Sequence, residues 1–203
     1  MSDKKISGEL EKFSYALGMS IAGNLIKSGV KQVNPGIFLE AFKDTFEGEM
    51  PKIMPDEANQ ILETFIAKAN AGQSTDNLEE GLKFLAENRK KEGVIELASG
   101  LQYKVLKKGD GELPTASNQV KCHYHGTLIN GNVFDSSVER GEPAVFPVNG
   151  VIQGWIEALQ LMPIGSKWRL FVPSELAYGQ QGAGGTIGPN TTLIFDVELL
   201  EII

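Results

Sequence analysis

From Glu9 to Ser28 the apolar residues recur at helical intervals. Leu10, Phe13, Leu17, Ile21 and Leu25 step by three or four positions. Tyr15, Met19, Ala22 and Ile26 form a second series on a neighbouring face. A surface helix of a globular protein has one apolar stripe; this one is apolar over most of its circumference. Ala16, Gly18, Ser20 and Gly23 are interleaved with the larger side chains. A mid-helix glycine costs up to about 1 kcal/mol, so Gly18 and Gly23 suggest close approach by another backbone. Gly29 is a natural stop. Asn34-Pro35 then reads as a cap followed by proline at the first helical position. Ile37, Phe38, Ala41, Phe42, Thr45 and Phe46 make a second helix, closed by Gly48. Asp56 is positioned to cap a third, whose stripe runs Ala58, Ile61, Leu62, Phe65, Ile66, Ala69, then Leu78, Leu82 and Leu85. Unbroken to Lys91, that helix would be about 54 Å long. Ala71-Gly72-Gln73-Ser74-Thr75-Asp76 is its weak point, and Asp76 with Glu79 resembles a fresh capping signal. A kink or break is expected there.

Beyond residue 99 the pattern changes to short runs between turns. Leu101–Leu106, Gln119–Ile129, Val145–Val148, Lys167–Val172 and Thr191–Ile203 read as strands. Lys108-Gly109-Asp110-Gly111, Asn130-Gly131 and Pro163-Ile164-Gly165 punctuate them, and Asn130-Gly131 is a strong hairpin signal. One short helix is expected at Gly154–Leu159. The fold class is therefore α+β: an all-α N-terminal domain with a long connecting helix, then an antiparallel sheet with one short helix. Residues 1–92 form the first domain, with the long helix at about 56–91, and residues 93–203 form the second. Two short helices bury too little surface to be stable alone. A helix apolar on two faces wants two partners, which predicts a homodimer through residues 1–50. A helical hairpin packed on the second domain is the monomeric alternative.

Composition sharpens this division. Residues 1–99 hold 9 of the 23 glycines and 3 of the 9 prolines, whereas both tryptophans and both histidines lie beyond them. The net charge of −7 in 203 residues is shared between the halves, −4 and −3. A chain acidic in both halves is a poor general binder of nucleic acid, which needs a positive surface. No apolar run reaches the roughly 18 residues of a membrane span. The first eleven residues lack the apolar segment and cleavage site of a signal peptide, so a cytoplasmic address is expected.

The usual catalytic constellations are missing from the sequence. His123 and His125 alternate on one strand with Val120, Cys122 and Tyr124 facing the other way, and read as exposed strand residues. No further metal ligands are evident beside them, and neither metal nor cofactor is expected. Cys122 reads as a small core residue. Gly179–Gly185 is glycine-rich but is followed by no Lys-Ser/Thr, so it reads as a flexible flap rather than a phosphate cradle.

Several separated motifs carry a resemblance. His123-Tyr124-His125-Gly126, Val133-Phe134-Asp135-Ser136-Ser137, Val151-Ile152-Gln153-Gly154-Trp155, Leu176-Ala177-Tyr178-Gly179 and Leu193–Leu200 resemble the FKBP-type peptidyl-prolyl cis-trans isomerases over about Ser99–Ile203. Ser14-Tyr15-Ala16-Leu17-Gly18 and the Lys90–Val94 junction resemble the dimerisation module of bacterial Mip-like members. The resemblance implies an FKBP-like sheet wrapped on its helix and proline-containing or unfolded polypeptides as substrates. It also implies macrolides as inhibitors. It puts the proline ring on Trp155 as floor, with Tyr124, Phe134, Val151, Ile152 and Phe195 as walls and Ile187 and Ala144 at the rim. Tyr178 would donate its hydroxyl to one substrate carbonyl and the Ile152 N–H would hold another. Asp135 would stand beside the twisting amide, either acting on it electrostatically or serving as a structural ion pair with Tyr124 and Arg140.

Such a set suits a reaction that breaks no bond. An X-Pro bond turns over a barrier near 18–20 kcal/mol because the planar amide has double-bond character. Twisting it destroys charge separation, so an apolar pocket favours the twisted form relative to water. The sequence departs from the family at Ala144, where many members carry an aromatic, and in the flap Gln180–Pro189, where proline often replaces Gly188. These departures predict a more open, mobile rim and leave the activity in place. A different class remains as the alternative: a dimeric chaperone whose helices hold unfolded clients, with the isomerase pocket secondary.

Overall fold

The computed structural model describes residues 6–30 and 32–203. The helices and strands follow in the order α1 (Glu9–Lys27), α2 (Pro35–Glu47), α3 (Pro55–Asn88), β1 (Val94–Glu96), β2 (Gln102–Lys107), β3 (Gln119–Leu128), β4 (Val133–Ser136), α4 (Ser137–Arg140), β5 (Ala144–Pro147), α5 (Gln153–Leu159), β6 (Lys167–Val172) and β7 (Leu193–Ile202). The chain divides into two compact units, one ending at Gly72 and the other running from Gln73 to Ile203. The division falls inside α3, about twenty residues before the boundary expected at residue 92, because the second half of that helix packs on the sheet.

In the first unit the local signals act as their chemistry dictates. Asn34 accepts from the Gly36 and Ile37 N–H groups at 3.0 and 3.2 Å, Pro35 opens α2, and Gly48 closes it in the left-handed conformation. Gly29, at φ +81°, ends α1, and the Val30 N–H reaches back to Leu25 O. Packing is sparse. Gly18, Ile21, Leu25 and Val30 meet Pro35 and Phe38 across a shallow cleft. Among the described residues of this unit only Gly29 and Val30 are buried. Leu10 and Phe46 stand 76% and 77% exposed, with Phe13, Tyr15, Met19 and Ile26 also in the open.

α3 begins at Pro55, one residue before the expected cap, and runs without interruption through Gly72–Asp76. Of the kink or break expected there, the break is absent. From Gln73 onward the covered positions are Gln73, Ser74, Asn77, Leu78, Gly81, Phe84, Leu85, Ala86 and Asn88, which mark one helical face. Tertiary contacts on that face outweigh the weak local propensity. Phe84 lies 5.9 Å from Phe171 between ring centres. Asn88 donates to Gln102 Oε1 at 3.0 Å, and Gln102 donates to Leu85 O at 3.0 Å and to Glu96. Leu82, counted in the apolar stripe, faces away. Among the described residues no helix is long and apolar enough to cross a membrane.

The sheet is antiparallel throughout, ordered β1-β2-β6-β7-β3-β4, with β5 pairing the first half of β3. Its alternation sends Val120 and Cys122 of β3, Leu170 and Val172 of β6, and Leu193, Phe195, Val197 and Leu199 of β7 to one face. There α5 contributes Trp155, Ala158 and Leu159 to the core. Gly154 permits this contact, since a Cβ there would lie 2.6 Å from Val172 Cγ1. The Asn130-Gly131 turn joins β3 to β4, with Gly131 at φ +87° and Leu128 N bonded to Asn132 O.

Candidate active site

Between the concave face of the sheet and α5 lies a cavity of about 450 Å³. Its lining is Tyr124 from β3, Phe134 and Asp135 from β4, Ala144 and Phe146 from β5, Gly150, Val151 and Ile152 from the approach to α5, Trp155, Tyr178 and Phe195. Nine of the ten residues singled out from the sequence are therefore brought together. Ile187 is the exception: it is buried in the flap, where it exchanges two backbone hydrogen bonds with Ala183. It contributes to the core and is not among the lining residues. Phe146 and Gly150 are additional. The alternation of β5 carries the signal for Phe146, since an aromatic two positions after Ala144 points to the same side.

Trp155 forms the floor and is 5% exposed. Three rings meet it edge-to-face: Tyr124 at 5.5 Å, Phe146 at 5.5 Å and Phe195 at 5.2 Å. Phe134 meets Phe195 at 5.4 Å. These T-shaped contacts are the preferred geometry of aromatic rings and lock the walls against each other. Gly126 makes room for them, because a Cβ there would lie 2.6 Å from Phe134 Cζ and 3.1 Å from Phe195. Gly126→Ala is expected to turn Phe134 out of place and to cost about 1–3 kcal/mol. Thermal unfolding and a peptide assay on that variant would both register the change.

Besides the buried Trp155 indole N–H, two donors in the lining are unused. The Ile152 N–H, at the N-cap of α5, and the Tyr178 hydroxyl make no hydrogen bond among the described residues. Tyr178 is 41% exposed and opens directly onto the cavity. The polar corner is already paired. Tyr124 donates to Asp135 Oδ2 at 2.5 Å, Arg140 is ion-paired with Asp135, and Arg140 also donates to Tyr124 Oη at 2.8 Å.

Burial pushes the Asp135 carboxyl up, but the hydrogen bonds from Tyr124 and Arg140 and the Arg140 charge outweigh it and hold it below the ordinary carboxylate value. Burial and the bond to Asp135 raise the Tyr124 hydroxyl. Both groups thus move away from neutrality. The rate is expected to be flat between about pH 5.5 and 8.5. The Asp135 pairing contributes to stability above the ordinary carboxylate pKa of about 3.9. That contribution is lost only as pH falls through its lowered folded value. A pH–rate profile and acid unfolding test the two parts.

The remaining candidate groups stand apart from this chemistry. His123 and His125 are half-buried, not exposed as expected: their Nδ1 atoms lie 3.1 and 3.0 Å from the hydroxyls of Ser137 and Ser136. Those serines follow the Asp135 motif in sequence and bond back across the β3–β4 pairing. Burial pushes the Cys122 thiol up to about 12, so it is no nucleophile. Among the described residues no group of three His, Cys, Asp or Glu side chains is placed to hold a metal.

Comparison with known proteins bears on both units. The family model "FKBP-type peptidyl-prolyl cis-trans isomerase" matches residues 110–200. "Domain amino terminal to FKBP-type peptidyl-prolyl isomerase" matches residues 10–105. The chain is 48% identical over 193 residues to the FKBP-type 22 kDa peptidyl-prolyl cis-trans isomerase of Escherichia coli, covering 94% of each. It is 40% identical to a Legionella longbeachae protein named outer membrane protein MIP, covering 97% of this chain and 87% of that one. The crystal structure of FkpA from Escherichia coli is similar at a TM-score of 0.68 and 35% identity, over 98% of both chains.

Proposed function

The chain belongs to the FKBP-type peptidyl-prolyl cis-trans isomerases, and from that premise we propose how its own residues accelerate X-Pro isomerisation. The observation that carries the proposal is an aromatic cavity with two donors at its lining, the Ile152 N–H and the Tyr178 hydroxyl, that have no partner among the described residues. The proline ring enters over Trp155 and is enclosed by Phe134, Phe195 and Tyr124. Water leaves, and the planar amide loses the solvation that favours it over the twisted form. Ile152 N–H and Tyr178 Oη hold the carbonyls on either side of the proline, so that the chain ends are fixed while the C–N bond turns. Asp135, with Tyr124 and Arg140, is a fixed dipolar group at the wall; it accepts and releases no proton in the neutral range.

The match to isomerases favours this reading over a chaperone with a secondary pocket. Isomerisation of a proline tetrapeptide and refolding of a proline-limited protein test it. Acceleration of both is the expected result; failure of the first would overturn the mechanism. Macrolides that mimic the twisted amide are expected to inhibit, with affinity reduced by the small side chain of Ala144.

The helical unit is proposed to be a homodimerisation module acting through residues 1–50. Its support is the exposure of Leu10, Phe13, Met19 and Phe46. Gly18 and Gly23 add to it, since a Cβ at either would have no neighbour within 4 Å among the described residues outside its own stretch of helix. A cytoplasmic address is proposed as well, where the single thiol, buried Cys122, stays reduced. Cell fractionation tests it, with recovery in the membrane or an extracytoplasmic fraction as the contrary result.

A further inference from the structure

The stretch from Tyr178 to Asn190 is held at a few points, among them buried Ile187 and its two backbone hydrogen bonds with Ala183. Gly179, Gly182, Gly184 and Gly185 all have positive φ, a freedom that makes such a segment costly to order. Tyr178, at its start, lines the cavity but makes no side-chain hydrogen bond among the described residues. Its position depends on its backbone. That backbone is anchored on both sides: the Ala177 N–H donates to Ser174 O at 3.0 Å, and the carbonyl of Gly179 accepts from the Asn190 N–H at 2.7 Å. Asn190 is in turn the one described non-glycine residue at positive φ, +52°, a conformation that asparagine tolerates better than most.

What holds Asn190 is α3. Asn190 Nδ2 donates to Ser74 Oγ at 2.8 Å. Asn77 Nδ2 donates to Pro189 O at 2.7 Å and to Thr191 Oγ1 at 3.2 Å. Thr191 Oγ1 donates to Gly188 O at 2.8 Å, which closes the turn. The fit is tight: a Cβ on Gly188 would lie 3.0 Å from Asn77 Nδ2 and 3.1 Å from Gln73 Nε2. One helical turn on, a Cβ on Gly81 would lie 2.3 Å from Thr192 Oγ1. All of these residues belong to the unit that begins at Gln73.

We propose that Ser74 and Asn77 of α3 are positioning residues of the isomerase site, holding Asn190 so that Tyr178 is presented to the substrate. The proposal rests on the reading that Tyr178 donates to a substrate carbonyl, and it extends the catalytic unit to a helix outside the residues that line the cavity. It also accounts for Ser74 and Asn77 within the polar run at Gln73–Asn77: their side chains bind the backbone and side chains of the loop.

The test is a double-mutant cycle in the full-length chain. Asn77→Ala and Ser74→Ala are each combined with Tyr178→Phe, and kcat/KM is measured on a proline tetrapeptide. Asn77→Ala alone is expected to lower kcat/KM about tenfold, and Ser74→Ala less. Either change should have no further effect once Tyr178 is Phe. Hydrogen exchange of the 179–191 amides should quicken in both variants while that of β7 does not. A loss within twofold for both single variants would overturn the proposal. So would a loss that persists undiminished in the Tyr178→Phe background, which marks a general structural effect. If Tyr178→Phe is itself fully active, the carbonyl-donor reading fails; the exchange data then decide separately whether α3 holds the loop. Should Asn77→Ala not fold, the milder Ser74→Ala cycle carries the test.

Discussion

Trp155→Ala is expected to lower kcat/KM for a proline tetrapeptide about 100-fold. Burial of a ring of this size on the cavity floor contributes about 1.5–3 kcal/mol, and each 1.36 kcal/mol of lost transition-state stabilisation is tenfold in rate. The substitution also empties the meeting point of Tyr124, Phe146 and Phe195. Truncating a buried aromatic costs about 3–5 kcal/mol of stability, a large share of a typical 5–15 kcal/mol. Two companions separate the causes. Trp155→Phe keeps an aromatic floor and removes an indole N–H that is buried without a protein acceptor, so it should lose little stability. Phe134→Ala strips a half-buried wall and should lose rate with less loss of stability. Unfolding midpoints beside the rates distinguish the outcomes. Full activity in both alanine variants would contradict the placement of the proline ring in this cavity.

The second large effect concerns the helices. Phe13→Asp with Met19→Asp is expected to convert a dimer of about 44 kDa into the 22.0 kDa chain in sedimentation at micromolar concentration. Both side chains are exposed in the single chain, so neither change should damage the fold of one copy. A two-fold interface would bury each introduced carboxylate twice, and burying charges in an apolar contact without a partner is strongly unfavourable. Small-peptide activity should stay within twofold, because the catalytic residues lie in the other unit. A wild-type chain that already sediments as 22.0 kDa would refute the dimer outright.

The elements most legible in the sequence were those set by local chemistry. Asn34 with Pro35, Gly48, Gly29 and the Asn130-Gly131 turn each act within a few residues of their own position, and each does in the structure what its side chain dictates. The lining of the cavity was legible for a different reason: several separated motifs resembled one family. Ile187 was misplaced because its neighbours do not reveal that the Ala183 bridge turns it into the core. β1 and β4 are strands of three and four residues, too short to display an alternation, and each pairs with its neighbour in a hairpin, β1 with β2 and β4 with β3. The continuity of α3 is hidden for a different reason, distance along the chain. Gly72 and Asp76 argue for a break, and the Gly188–Thr192 loop, more than a hundred residues away, argues the other way. The partial burial of the histidines is not legible because strand alternation says which side a residue faces, not whether Ser136 and Ser137 lie there.

The division of the chain inside α3 bears on how such proteins can be taken apart and recombined. A catalytic fragment cut at residue 93 would leave Gln102, fully buried, without the Leu85 carbonyl and Asn88 amide that bind its side chain. It would also strip the cover from Thr192 and Phe171. The transferable cassette therefore starts at Gln73 and carries sixteen residues of helix with it. Whatever is spliced upstream need only be helical at its end, so that the graft is joined by continuing a helix.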